Sequence, residues 1–223
     1  MLNDKRIRVI IGHYGSGKTE FSINYAINLA KSGQKVALAD LDIANPYFRS
    51  REKSEFLESH GILVLSSYIK GSGIDLPSIS ADILGPLQNE DYDLIMDIGG
   101  DSAGARVLGR YNEYLVPGKY DMFCVVNANR PETQTEAGVI YHIEAIEKAS
   151  GVKVTGLINN THLLKHTVVE DVLRGLSLCK KVSNTLNIPI KYTCAIENVA
   201  KRLPDDMEGQ IISIRMIMRE DWM

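Results

Sequence analysis

The sequence predicts one α/β domain of three layers, with a mostly parallel central sheet and helices on both faces. Three observations carry this. Short apolar, β-branched runs recur along the chain; segments of helical length separate them; and a glycine-rich turn joins the first run to the first helix. Strands this apolar are buried on both faces, as in parallel sheets. Right-handed crossovers between such strands put helices above and below them. The 223 residues and 24.7 kDa fit one medium domain, 1–223.

The elements follow in order. Apolar runs at 7–11, 35–39, 62–65, 94–96, 122–126, 152–158 and 188–192 read as strands. Residues 16–32 read as a helix closed by Gly33, and 48–60 as a charged helix before Gly61. Residues 133–150 read as a helix opened by Thr133 and ended at Gly151. The longest helix runs over 165–186, with Val168, Val172, Leu176 and Cys179 at helical spacing and Pro189 soon after. Residues 66–92, rich in Gly, Ser and Pro, read as an irregular excursion. The apolar segment from Gly209 to Met223 reads as a helix docked on the core. Its basic residues are followed by Glu220 and Asp221, which disfavours anionic membranes.

Composition excludes several classes. With 25 Lys plus Arg against 28 Asp plus Glu, the formal charge is −3, so strong nucleic-acid binding is not expected. Cys124, Cys179 and Cys194 lie far apart, without CxxC spacing, which argues against a disulfide framework or a structural zinc site. Cys124 reads as a core residue. The N-terminal apolar run is too short for a signal peptide or membrane span, and a cytoplasmic protein is expected.

The turn after the first run is Gly12-His13-Tyr14-Gly15-Ser16-Gly17-Lys18-Thr19, which fits G-x-x-x-x-G-K-[ST]. Small residues let successive backbone N–H groups turn inward around phosphate oxygens. The following helix points its positive end at the same charge. Lys18, placed in a solvated loop, reaches the β- and γ-phosphates, and the Thr19 hydroxyl can ligate Mg²⁺.

Two acidic motifs end strands at the same sheet edge. Asp97 follows Leu94-Ile95-Met96 and precedes Ile98-Gly99-Gly100. A carboxylate there can hold Mg²⁺ through water, and the glycines let the backbone approach a phosphate. Asp40-Leu41-Asp42 ends the second run, where open sheets bind ligands. One carboxylate can position or activate water and the other can support the metal shell. Residues 127–133, Asn-Ala-Asn-Arg-Pro-Glu-Thr, lie at the same edge; Arg130 is a candidate contact for nucleotide or partner.

Taken together these motifs resemble the deviant-Walker P-loop ATPases of the MinD/ParA type, the CobQ/CobB/MinD/ParA nucleotide-binding group. The resemblance implies a P-loop NTPase fold with ATP and Mg²⁺ as cofactors. It makes Lys18 and Asp42 catalytic, Asp42 by orienting the hydrolytic water. It gives Gly12 to Thr19 to the phosphates and Thr19, Asp40 and Asp97 to the metal. Gly156-Leu157-Ile158-Asn159-Asn160 resembles the strand end whose asparagine recognises adenine; Asn160 fits best by offset and Asn159 is the alternate. An N-K-x-D guanine signature is absent, since the chain reads Asn159-Asn160-Thr161-His162.

One departure concerns dimers. The family often carries a second lysine just after the first loop glycine, reaching a partner's phosphates, and here that residue is His13. Arg49 and Arg51 are substitutes to consider, although a solvated helix face explains them as well. The resemblance implies a slow ATPase acting as a nucleotide-driven switch on an unidentified protein or metalloenzyme partner, with a homodimer in question. The alternatives are an ATP-dependent small-molecule kinase or ligase of the dethiobiotin-synthetase kind, its substrate pocket within 66–92, and a non-hydrolysing binding module.

Overall fold

β-Branched runs flanked by helix caps assemble as their patterns require. The computed structural model describes residues 1–42, 53–66 and 81–218. Among these, eight strands form one all-parallel sheet in the order β3-β2-β4-β1-β5-β6-β7-β8. The strands are β1 (Ile7–Ile11), β2 (Lys35–Leu41), β3 (Ile62–Ser66), β4 (Tyr92–Ile98), β5 (Tyr120–Val126), β6 (Gly156–Asn159), β7 (Ile190–Ile196) and β8 (Gln210–Ile214). Every residue of β1 is buried, as expected for a strand covered on both faces.

The side-chain period of two sorts each strand between two cores. Val9 and Ile11 join one core, into which Val139, Ile143 and Ile146 of α5 (Glu136–Ser150) and Cys179 and Val182 of α6 (Val169–Leu186) pack. Ile10 faces the other core, built with Phe21, Tyr25 and Leu29 of α1 (Lys18–Lys31). Helices therefore cover both faces, and the three-layer α/β expectation is met. Cys124, Cys179 and Cys194 are all buried and free, and burial pushes the Cys124 thiol up to about 12. Among the described residues no helix is long and apolar enough to cross a membrane.

Several boundaries shift for local reasons. α1 starts at Lys18, because Gly17 takes the left-handed conformation (φ 87°) at its N-cap. α5 opens on Thr135, whose side chain accepts from the Gly138 N–H, rather than on Thr133. Thr133 lies in a 3₁₀ turn and donates to the Asn127 carbonyl (2.9 Å). α6 starts at Val169, where Asp171 accepts from the Val168 N–H, and a separate 3₁₀ turn covers Leu164–His166. Of 48–60, the described part holds only α2 (Ser54–Glu58). Of 66–92, Ser66 closes β3, α3 (Leu84–Gln88) follows a 3₁₀ turn, Tyr92 opens β4, and 67–80 lie outside the described residues.

The C-terminal expectation is overturned. Residues 210–214 form β8 beside β7, not a docked helix. Ile212 and Ile214, two apart, face the α1-side core, so the period of two wins over the helical reading. Residues 219–223, with Arg219, Glu220 and Asp221, lie outside the described residues.

Candidate functional site

β1 sits between β4 and β5, so the chain order reverses beside it and a crevice opens at its carboxyl end. The loop of residues 12–17 leaves β1 at that point. Ser16 N–H donates to the His13 carbonyl (3.0 Å), closing a turn. Its outward carbonyls are held from neighbouring strands. Arg130 Nε donates to Gly15 O (2.9 Å), Asn127 Nδ2 to the same oxygen (3.4 Å), and Asn160 Nδ2 to Ser16 O (2.8 Å). A Cβ at Gly17 would overlap the Asn160 amide, so that position requires glycine for space as well as for its φ. The first N–H groups of α1, without carbonyl partners in the helix, then point into the crevice as anion donors. The residues behind the loop were only partly foreseen. Arg130 was a candidate contact, but the role of Asn127 depends on β5 neighbouring β1, which local spacing does not encode.

The acidic residues converge on Lys18 and Thr19. Asp40 of β2 and Asp97 of β4 are direct register partners. Asp42, buried, donates its N–H to Asp40 Oδ1 (3.3 Å), and its Oδ1 lies next to Gly99, 3.2 Å from where a Cβ would stand. Lys18 is 6% exposed, so the lysine is not solvated as the loop reading expected. Gly100 covers it: a Cβ there would stand 3.0 Å from Lys18 Nζ and 2.9 Å from Tyr14 N. Asp97 is 1% exposed, and neither carboxylate oxygen has a partner in hydrogen-bond geometry. Burial first, then the charge of Asp40, pushes its carboxyl up to about 7, while Lys18 and the nearby Thr19 hydroxyl oppose that shift.

Gly100→Ala gives a direct test of this contact. The added methyl would press on the backbone at Tyr14 and Gly12, which cannot turn aside as a flexible side chain would. We expect nucleotide affinity to fall about tenfold or more in calorimetry, for an overpacking cost of about 1–3 kcal/mol.

A cavity of about 150 Å³ opens beside the loop, lined by Lys18, Thr19, Asn160, Ile196, Met216 and Met218 among others. Of the two asparagines at the end of β6 and just beyond it, Asn160 lines this cavity. Asn159 turns back into the protein and donates to the Val172 carbonyl of α6 (2.9 Å). On the other side of the loop, His13 Nδ1 lies 3.7 Å from Glu132, and its ring meets that of His142 edge-on at 5.6 Å. Burial, with the charges of His13 and Lys18, pulls His142 down to about 4, so it is neutral at pH 7.

Comparison with known proteins agrees with this arrangement. Residues 7–196 match the family model described as CobQ/CobB/MinD/ParA nucleotide binding domain. This chain belongs to that family. It is therefore a P-loop nucleotide-binding domain of the MinD/ParA type. A search among curated proteins finds no match. Solved structures with the same fold include FtsY from Mycoplasma mycoides (19% identity, TM-score 0.55, 85% of this chain and 59% of that one). FtsY of Thermotoga maritima is similar at 20% identity and TM-score 0.54, over 85% of this chain and 61% of that one. The signal recognition particle 54 kDa protein of Aeropyrum pernix, in complex with GDP, follows at 20% identity and TM-score 0.51, over 80% and 39%. The chain thus spans about three-fifths or less of the length of these neighbours. At these identities the likeness concerns the fold.

Within the MinD/ParA-type frame, two sequence readings fall wholly or partly outside the described residues. Arg49 and Arg51 lie outside the described residues, as does part of the 66–92 segment considered for a substrate pocket. No closed cluster of three or more acidic, histidine or cysteine ligands occurs among the described residues. The donor set fits Mg²⁺. Asp40 and Asp97 are buried on adjacent strands, Lys18 acts on Asp97, and the Asp97 oxygens, which have no partner in hydrogen-bond geometry, are suited to a hard cation or its water.

Proposed function

We propose that this chain is a Mg²⁺-dependent ATPase whose nucleotide state sets the position of the Asp42 and Asp97 segments, and that a protein partner reads that position. The observation carrying this is the buried, unpartnered Asp97 carboxylate beside Lys18 and Thr19. A carboxyl raised to about 7 by burial and by Asp40 is poised for a cation that arrives with a phosphate. Thr19 would hold Mg²⁺ directly, Asp97 through water, and Asp40 would support the shell. Bound Mg²⁺ supplies charge neutralisation at the transferring phosphoryl group. Lys18 binds the β- and γ-phosphates, residues 12–17 wrap them with backbone amides, and Asp42 orients the attacking water. Gly99 and Gly100 give the Asp97 segment room to move when the γ-phosphate leaves.

Adenine is the proposed base, with Asn160 as its polar contact. Guanine recognition by a carboxylate has little support, because Glu20, which lines the cavity, already accepts from the Ile217 and Met218 N–H groups. The GDP held by the Aeropyrum pernix neighbour supports the other choice. Competition between ATP and GTP decides it: ATP is expected to win, and GTP tighter by tenfold, about 1.4 kcal/mol, would reverse the assignment. Turnover is expected to be slow without a partner. A homodimer would face His13, engaged with Glu132 and His142, instead of a fixed lysine charge. We place the protein in the cytoplasm.

A further inference from the structure

The chain beyond β8 does not leave the fold but crosses back over the start of α1. Asn24 clamps it at Arg215: the Arg215 N–H donates to Asn24 Oδ1 and Asn24 Nδ2 donates to the Arg215 carbonyl, both at 2.9 Å. One helical turn earlier, the Glu20 carboxylate accepts from the Ile217 N–H (2.5 Å) and the Met218 N–H (3.2 Å). Glu20 follows Thr19 directly, so the same first turn that serves the phosphates also anchors this strap. Backbone N–H groups of Arg215, Ile217 and Met218 all bond to side chains of α1, and Ile214, Met216 and Met218 line the cavity beside the phosphate loop.

From this we infer that residues 214–218 form the apolar wall on which the nucleotide base lies, and that Glu20 is the positioning residue that holds the wall in place. This rests on the nucleotide site proposed above. Met216 is 43% exposed although it belongs to a cavity wall, so a flat ring covering it would remove apolar surface from water. Methionine suits the task, since its flexible thioether packs well against aromatic faces. Ile196, at the end of β7, adds to the same apolar lining, and Asn160 supplies the polar edge. The strap residues that line the cavity, Ile214, Met216 and Met218, are uncharged. Base binding through this wall therefore depends on where the strap is held, and that is fixed by Glu20 and Asn24.

The test separates base from phosphate. Calorimetry with Mg-ATP and with inorganic tripolyphosphate is run on the wild type, Met216→Ala and Glu20→Gln, with melting temperatures for each. Met216→Ala is expected to weaken ATP about tenfold and Glu20→Gln about fivefold, through lost stacking surface and one lost acceptor. Tripolyphosphate, which has no base, should bind all three proteins alike. A variant that fails only in stability would weaken both ligands together, and the two variants sit on different elements, so one remains informative. ATP affinity unchanged in both variants, or equal loss for ATP and tripolyphosphate at wild-type melting temperature, overturns the strap. Wild-type protein that binds neither ligand overturns the nucleotide site itself.

Discussion

Lys18→Ala is expected to lower Mg-ATP affinity by about 10²–10⁴-fold, with the protein still folded. The ammonium is the cation that the loop offers to the β- and γ-phosphates, and charge-assisted contacts of this kind contribute about 1.5–3 kcal/mol each. Two such contacts give about 3–6 kcal/mol, a loss of about 10²–10⁴-fold. The fold should survive although Lys18 is 94% buried by its 6% exposure. Its charge favours the ionised form of Asp97. Without it, burial and the charge of Asp40 hold Asp97 protonated, and a neutral carboxyl needs no counter-ion. The melting temperature should therefore drop little, while isothermal titration loses its binding signal. Unchanged Mg-ATP affinity would remove the phosphate-loop assignment.

How much of this was legible in the sequence depends on how local each constraint is. The loop Gly12 to Thr19 is one contiguous motif, and its placement between β1 and α1 followed from an apolar run on one side and a helical pattern on the other. Asp40 and Asp97 were readable as strand ends at one sheet edge, but their pairing as register neighbours needed the order β2-β4-β1. The burial of Lys18 was hidden for the same reason, since Gly100, just beyond β4 and some eighty residues away in the chain, covers it. Asn159 is the last residue of β6 and Asn160 the first beyond it; both are buried, and their side chains take different partners. The partner of Asn159 was settled by packing against α6, where Gly175 leaves room for Asn159 and Thr161 to approach.

The C-terminal segment shows the opposite case, where local pattern misled. Ile211, Ile212 and Ile214, with charges around them, fit an amphipathic helix and a strand equally well over so short a window. Pairing with β7 and the two-residue period of Ile212 and Ile214 decided for the strand. The segment does pack on the core, as Ile212, Ile214 and Met218 show, but as a strand followed by an extended crossing to α1.

Asp42→Asn is expected to keep ATP binding and to slow hydrolysis by about 10²–10⁴-fold, the range for loss of a group that handles the proton or position of an attacking water. The amide preserves volume next to Gly99, where the Asp42 carboxylate packs. It also leaves untouched the backbone N–H that Asp42 donates to Asp40 Oδ1. Nucleotide affinity should stay equal or increase, for an electrostatic reason. The Asp42 charge is one of those raising Asp97, and it would repel the γ-phosphate in the same way. Removing it relieves both repulsions, so a binding assay alone would misread the variant as improved. The effect belongs in the chemical step and must be read there. Single-turnover hydrolysis with enzyme in excess isolates that step from product release. Wild-type rates in the variant would exclude Asp42 from handling the water, and no hydrolysis by the wild type, even with a lysate added, would favour a binding module that uses ATP only as a ligand.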